Sequence, residues 1–227
     1  MTEPLEGRNI GLYRIEAEIG EGRWGKVYRA TQAVMNRAVA LKVLSSELAE
    51  LPGKVEHFRE ELRRAARPVH PNIVTIYEAG YADGAHYCAE ELLDGPPLEQ
   101  FLRRGAAVDE SRLLQTVAGI SRALDYLWRR GLKHPRPAAN NIRTNAAGKV
   151  KLVNIVPAAV PASESPAEDI AALGAVVGAI ANATAPVSRA AAELVERMVG
   201  APGRKQFASL TELADAAEAL ERSLERR

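Results

Sequence analysis

Gly20-Glu21-Gly22-Arg23-Trp24-Gly25-Lys26-Val27, followed on the next apolar run by Val39-Ala40-Leu41-Lys42, is the stretch that decides the fold. The glycines separate two mixed runs, Tyr13 to Ile19 and Lys26 to Ala33, and the third run, Ala38 to Leu44, is apolar apart from Lys42. Short runs punctuated by glycine predict three strands of a meander. Glycines at the first turn let the backbone approach a phosphate, and a lysine on the following strand can reach the same group.

Working outward, Glu56 to Arg67 reads as a charged helix stopped near Pro68, followed by strands at Ile73 to Glu78 and His86 to Leu92. From Asp109 the period changes: Leu113, Val117, Ile120, Leu124 and Leu127 recur at helical spacing, with Asp109 as N-cap and Gly131 past the end. Lys149 to Asn154 reads as a strand, and Pro- and Ala-rich Val156 to Ala167 as a loop. Two helices follow, Ala190 to Val199 and Leu210 to Leu224, the second opened by a Ser209/Glu212 capping box.

Composition excludes several classes. With 30 Lys+Arg against 29 Asp+Glu in 227 residues, the net charge of +1 offers no footprint for nucleic acid or an anionic membrane. The single cysteine, Cys88, cannot make an internal disulfide, and His57, His70, His86 and His134 are too scattered for a metal box. The first residues lack the basic start and apolar run of a signal peptide, and Ile170 to Ser188 is interrupted by Asn182, Thr184 and Pro186, so a buried helix and a cytoplasmic location are expected.

Adding the helical acid Glu61, His70-Pro-Asn-Ile-Val, Glu91-Leu-Leu-Asp-Gly95 and Leu132-Lys-His134, the order of motifs resembles a bacterial Ser/Thr protein kinase domain from about Tyr13 to Leu220. The resemblance implies an α+β, two-lobed fold: a small five-stranded sheet with one helix, and a mainly helical second lobe. It sets residues 1–12 as an N-terminal extension, 13–92 as the first lobe and 93–227 as the second. It further implies that Gly20, Gly22, Gly25, Val27, Ala40, Lys42, Glu61 and Asn141 are the nucleotide-binding positions, with Glu61 available to pair with Lys42.

The same frame exposes departures. The catalytic loop H-R-D-x-x-x-x-N stands here as His134-Pro135-Arg136-Pro137-Ala138-Ala139-Asn140-Asn141, so the base position is a guanidinium that cannot accept a proton, and the family's usual lysine is Ala138. The D-F-G motif stands as Asn154-Ile155-Val156, a neutral amide in place of the charged ligand that Mg²⁺ prefers. Glu90 takes the apolar gatekeeper position, where it competes with Glu61 for Lys42. Arg143 takes the apolar floor position, either obstructing it or packing its stem there with the head in solvent. Residues 157–168 are too few for a full activation segment, contain no A-P-E, and the docking helix is missing after Asn182 to Ser188. His134 and Asp169 are assigned structural roles, Asp169 capping the Ile170 helix and bonding the loop around His134.

The expectation is therefore a pseudokinase: not an enzyme, but a regulatory module that binds an as yet unidentified protein partner. No metal or resident cofactor is expected, with ATP the one candidate ligand and Mg²⁺ disfavoured. The alternatives are an ATP-dependent Ser/Thr protein kinase or other phosphotransferase with relocated catalytic groups, or a nucleotide-binding sensor.

Overall fold

Alternation along the first strands decides which residues face which way. In the computed structural model, which describes residues 5–95, 97–100, 108–135, 137–145, 147–155, 158–159, 165–183 and 186–226, six strands form one antiparallel sheet. They are β1 (Asn9–Ile10), β2 (Tyr13–Gly22), β3 (Gly25–Gln32), β4 (Arg37–Val43), β5 (Ile76–Ala82) and β6 (Ala85–Glu91), in the order β1-β2-β3-β4-β6-β5. Side chains two apart share a face, so Tyr13, Ile15, Tyr28, Ala30, Val39, Leu41, Val43, Tyr87 and Ala89 gather in one buried cluster. Val27, Ala40, Lys42, Cys88 and Glu90 occupy the alternate positions, on the opposite face.

The sheet has one strand more than the five expected. β1 lies in the stretch assigned to an N-terminal extension, and Ile10 is buried in the same cluster. Gly11, at φ +56, makes the turn into β2, and its N–H donates to Asp83 Oδ2 at 2.8 Å. Two residues show no alternation, so pattern reading passes over them. A single-turn helix α1 (Ser46–Ala49), capped by Ser45 Oγ, precedes the expected helix α2 (Lys54–Ala65). α2 buries Phe58 against Leu44 and Cys88, on the site-bearing face of the sheet.

Glu78, an exposed residue of β5, accepts on its carboxylate from the Oη of the buried Tyr13 at 2.7 Å and of Tyr87 at 2.9 Å, the two rings meeting edge to face at 5.4 Å. Burial, and then the carboxylate, push the Tyr87 phenol up to about 12 and the Tyr13 phenol in the same direction.

The chain divides into two units: residues up to Val69 with Val74–Leu93, and His70–Ile73 with Asp94 onward. The second contains α3 (Glu110–Trp128), β7 (Leu132–Lys133), a 3₁₀ turn (Ala139–Asn141), β8 (Ile142–Thr144), β9 (Val150–Leu152) and β10 (Ala158–Ala159). It closes with α4 (Ala167–Ala183), α5 (Arg189–Val199) and α6 (Leu210–Glu225). The apolar stripe of α3 is buried as its spacing predicts, and α6 lies along α3, with Arg122 bonded to Glu218 at 3.1 Å and Gln115 to Glu221 at 2.6 Å. The expected strand from Ile73 starts only at Ile76. The backbone just before it is already used: Leu152 N–H donates to Asn72 O, and Asn72 Nδ2 to Val150 O, both at 2.8 Å.

A group whose folded pKa is raised stays protonated after the unfolded chain has begun to ionise, so the folded state loses ground as pH rises between the two values. Stability to urea should therefore fall between about pH 10 and pH 12 in the wild type, and fall less steeply in Tyr87→Phe, as read from denaturation midpoints. Parallel pH profiles for the two proteins would contradict this.

Candidate functional site

The residues singled out from the sequence fall into two sets, one in each unit. In the sheet unit, β2 and β3 close into a hairpin with Gly22 opposite Gly25 and only Arg23 and Trp24 in the turn. Gly25 is required twice over: its φ is +137, and a Cβ there would lie 2.4 Å from Val43 O. Trp24 O accepts from Ser45 N–H at 2.9 Å, which fixes the hairpin to the end of β4. The third glycine of the motif thus serves a close backbone approach within the sheet.

Val27 lies opposite Lys42 in the β3–β4 ladder, and Ala40 lies opposite Glu90 in the β4–β6 ladder. Lys42 itself is opposite Cys88, so Glu90 reaches it on the diagonal, Oε2 to Nζ at 3.0 Å. Ala40, between them, has no side chain large enough to block that path. The two charged side chains are 24% and 10% exposed, which places the pair partly out of water and gives it more weight than a surface pair. Burial first, and then the charge of Glu90, push the neighbouring Cys88 thiol up to about 12, so this cysteine is not a nucleophile at neutral pH.

The expected Lys42–Glu61 pairing is corrected by this geometry. Glu61, buried three residues after Phe58 on the same face of α2, accepts from Trp24 Nε1 at 3.0 Å and forms an ion pair with Arg23. Trp24 also packs edge to face on Phe58 at 5.5 Å and on His57 at 5.2 Å, and the Arg23 guanidinium lies 4.9 Å from the Trp24 ring. Arg23 and Trp24 stand at variable positions of the glycine motif, so the motif alone assigns them no role. The available signal was a cation and an aromatic at the tip of a glycine turn, one helix away from an acid.

In the helical unit, Asn141 ends the 3₁₀ turn that Ala138 opens in extended backbone conformation. Its backbone O accepts from Val153 N–H at 2.8 Å, which brings the next residue, Asn154, alongside. Asn154 adopts left-handed backbone at φ +56, which asparagine tolerates better than most residues, and its Nδ2 donates to Asn141 Oδ1 at 2.9 Å. The structure thus joins the two amides that the sequence resemblance sets at metal-holding positions. His134 is buried, its Nε2 hydrogen-bonded to Val153 O at 3.0 Å, which ties the loop to the same strand end. Arg143 is half-buried on β8 directly opposite Lys151, whose Nζ donates to Ile73 O at 3.3 Å. Arg136 lies outside the described residues.

Asp169 departs from its expected capping role. α4 begins two residues earlier, at Ala167, which puts Asp169 inside the first turn, where Oδ2 accepts from Trp128 Nε1 at 2.7 Å. Its buried carboxylate joins α4 to the end of α3. The expected loop from Val156 to Ala167 contains β10, which pairs antiparallel with β7; residues 156, 157 and 160–164 lie outside the described set. Among the described residues, no helix is long and apolar enough to cross a membrane, and no three His, Cys, Asp or Glu side chains are grouped to hold a metal.

Comparison with known proteins supplies the family. The protein kinase domain profile matches residues 13–155. The Ser/Thr-protein kinase pkn3 of Myxococcus xanthus is 35% identical over 67% of this chain, and PknE of Mycobacterium bovis is 32% identical over 79%. The chain spans 29% and 31% of the lengths of these relatives. Among solved structures, a double-mutant form of the PknI kinase domain of Mycobacterium tuberculosis superposes with a TM-score of 0.68 at 25% identity, covering 94% of this chain and 98% of that one. Another structure of the same domain gives 0.69 at 24% identity, covering 96% and 98%. These relatives overturn the expectation of a non-enzyme: the matched proteins are named as kinases, and the family points to an enzyme. The order of motifs, the two-unit α+β fold and the profile match agree, and the chain belongs to the protein kinase domain family.

Proposed function

We propose that this chain is an ATP-dependent phosphotransferase domain of the Ser/Thr protein kinase kind, acting slowly on a protein partner through relocated charges. The observation that carries the reading is the pair of cations beside the glycine hairpin, Arg23 and Lys42, each already facing a carboxylate. A triphosphate is a polyanion that can replace those carboxylates as counter-charge. The glycine turn, Val27 and Ala40 stand on the same sheet in the family's order, and the named kinase relatives support transfer over simple sensing.

Asn141 and Asn154 offer neutral amides already bonded to each other, with no carboxylate in the pair. That donor set does not fit Mg²⁺, which prefers carboxylates plus substrate phosphates. Nucleotide affinity on this reading comes from the protein's own cations. Arg136 cannot act as a base, and loss of a general base lowers a rate by ~10²- to 10⁴-fold, so turnover should fall that far below the ~1 to 100 per second of kinases. The buried free thiol of Cys88 and dependence on ATP both suit a cytoplasmic setting.

Calorimetry should give saturable ATP binding in EDTA and in Mg²⁺, with dissociation constants within about threefold of each other, a difference of only ~0.7 kcal/mol. Labelled γ-phosphate should pass to protein above the level of an Arg23→Ala/Lys42→Ala double variant. Absence of binding, or transfer equal to that variant, would sink the proposal.

Glu90→Gln removes a negative charge from beside the phosphate path and releases Lys42 from its ion pair. One added charge-assisted hydrogen bond is worth about 1.5 kcal/mol or more, so ATP should bind roughly tenfold tighter to this variant. Unchanged or weaker binding would show that Glu90 does not restrain the lysine.

A further inference from the structure

The two ion pairs of the sheet unit are exchanged relative to the pairing that the family frame implies, and the exchange has a consequence for phosphate binding. Lys42 sits inside the sheet face, its side chain 24% exposed and held by Glu90. Arg23 sits at the tip of the glycine hairpin, its side chain 57% exposed, with the buried Glu61 of α2 behind it. The carboxylate that orients a phosphate-binding cation from α2 therefore orients Arg23.

We propose that Arg23 is the cation that meets the phosphates of a nucleoside triphosphate in the sheet unit, in place of Lys42. This rests on the nucleotide reading given above. A guanidinium presents five donors in a planar fork suited to two phosphate oxygens at once, whereas an ammonium is a point charge on a flexible stem. Arg23 keeps more than half of its side chain exposed while paired with Glu61. It stacks on Trp24, and Trp24 is fixed by the Ser45 N–H bond to its carbonyl, the Glu61 bond to its indole and the Phe58 contact. A pre-positioned side chain loses less rotamer freedom on binding. Lys42 is the less accessible of the two cations, its side chain 24% exposed and paired with Glu90 at 3.0 Å.

The test is calorimetric titration with ATP and, separately, with inorganic tripolyphosphate, both in EDTA, on four proteins: wild type, Arg23→Ala, Lys42→Ala and the double variant Arg23→Ala/Glu61→Gln. The double variant removes the buried carboxylate's unpaired charge, so a loss of binding there does not report misfolding; circular dichroism confirms the fold of each. Arg23→Ala and the double variant should each lose at least tenfold in affinity for both ligands, and Lys42→Ala should stay within about threefold of wild type. Wild type that binds neither ligand overturns the nucleotide reading, and this inference with it. Wild type that binds, with losses in Lys42→Ala equal to or larger than those in Arg23→Ala, overturns the inference alone. Indole emission gives a second readout: tripolyphosphate should change the Trp24 signal, seen as a difference lost in Trp24→Phe, and an unchanged signal at saturation counts against Arg23 as the contact.

Discussion

The sheet unit is organised by one diagonal ion pair, Glu90 to Lys42, at 3.0 Å across the small side chain of Ala40. A carboxylate at this position of a half-buried sheet face must find a cation, because burying it alone would cost several kcal/mol. Lys42 is the cation within reach. The choice leaves the α2 acid Glu61 to be satisfied from elsewhere, and the glycine hairpin supplies Arg23 and the Trp24 indole. The hairpin is thereby fastened to α2, and Gly25 can lie against the β4 backbone only because it has no Cβ. One substitution on β6 is thus connected through charge pairing to the placement of the loop that the family uses for phosphates.

The helical unit solves a similar problem with neutral groups. Asn154 Nδ2 bonds to Asn141 Oδ1, and Asn141 O accepts from Val153 N–H, so the loop and the strand end are joined by neutral groups. His134 is tied to the same strand end, and Asp169 connects α4 to α3 through Trp128. These contacts tie the loop, the strand end and the two helices together, with neutral amides at the Asn141–Asn154 pair.

Much of this was legible in the residues. The glycine-punctuated runs from Tyr13 to Leu44 announce three strands, and the stripe from Leu113 to Leu127 announces α3. What pattern could not decide was partnership. Glu61 and Glu90 are both candidate acids for Lys42 in the sequence; the strand register sets Glu90 diagonal to Lys42, while Glu61 on α2 meets Arg23 and Trp24. The bond between Asp169 and Trp128 joins side chains 41 positions apart, beyond any local rule. β1 and α1 are too short for periodicity to register. The expectation of a non-enzyme rested on single substitutions, and the kinase family whose profile matches residues 13–155 outweighs them.

The exchanged pairing is tested most directly by double-mutant cycles of folding stability over Lys42→Met, Arg23→Ala, Glu90→Gln and Glu61→Gln. Coupling of about 1 kcal/mol or more is expected for Lys42 with Glu90, a smaller but measurable value for the more exposed Arg23 with Glu61, and none beyond about 0.3 kcal/mol for Lys42 with Glu61. Strong coupling between Lys42 and Glu61, with none between Lys42 and Glu90, would contradict the exchanged arrangement and restore the lysine to its place in the family frame.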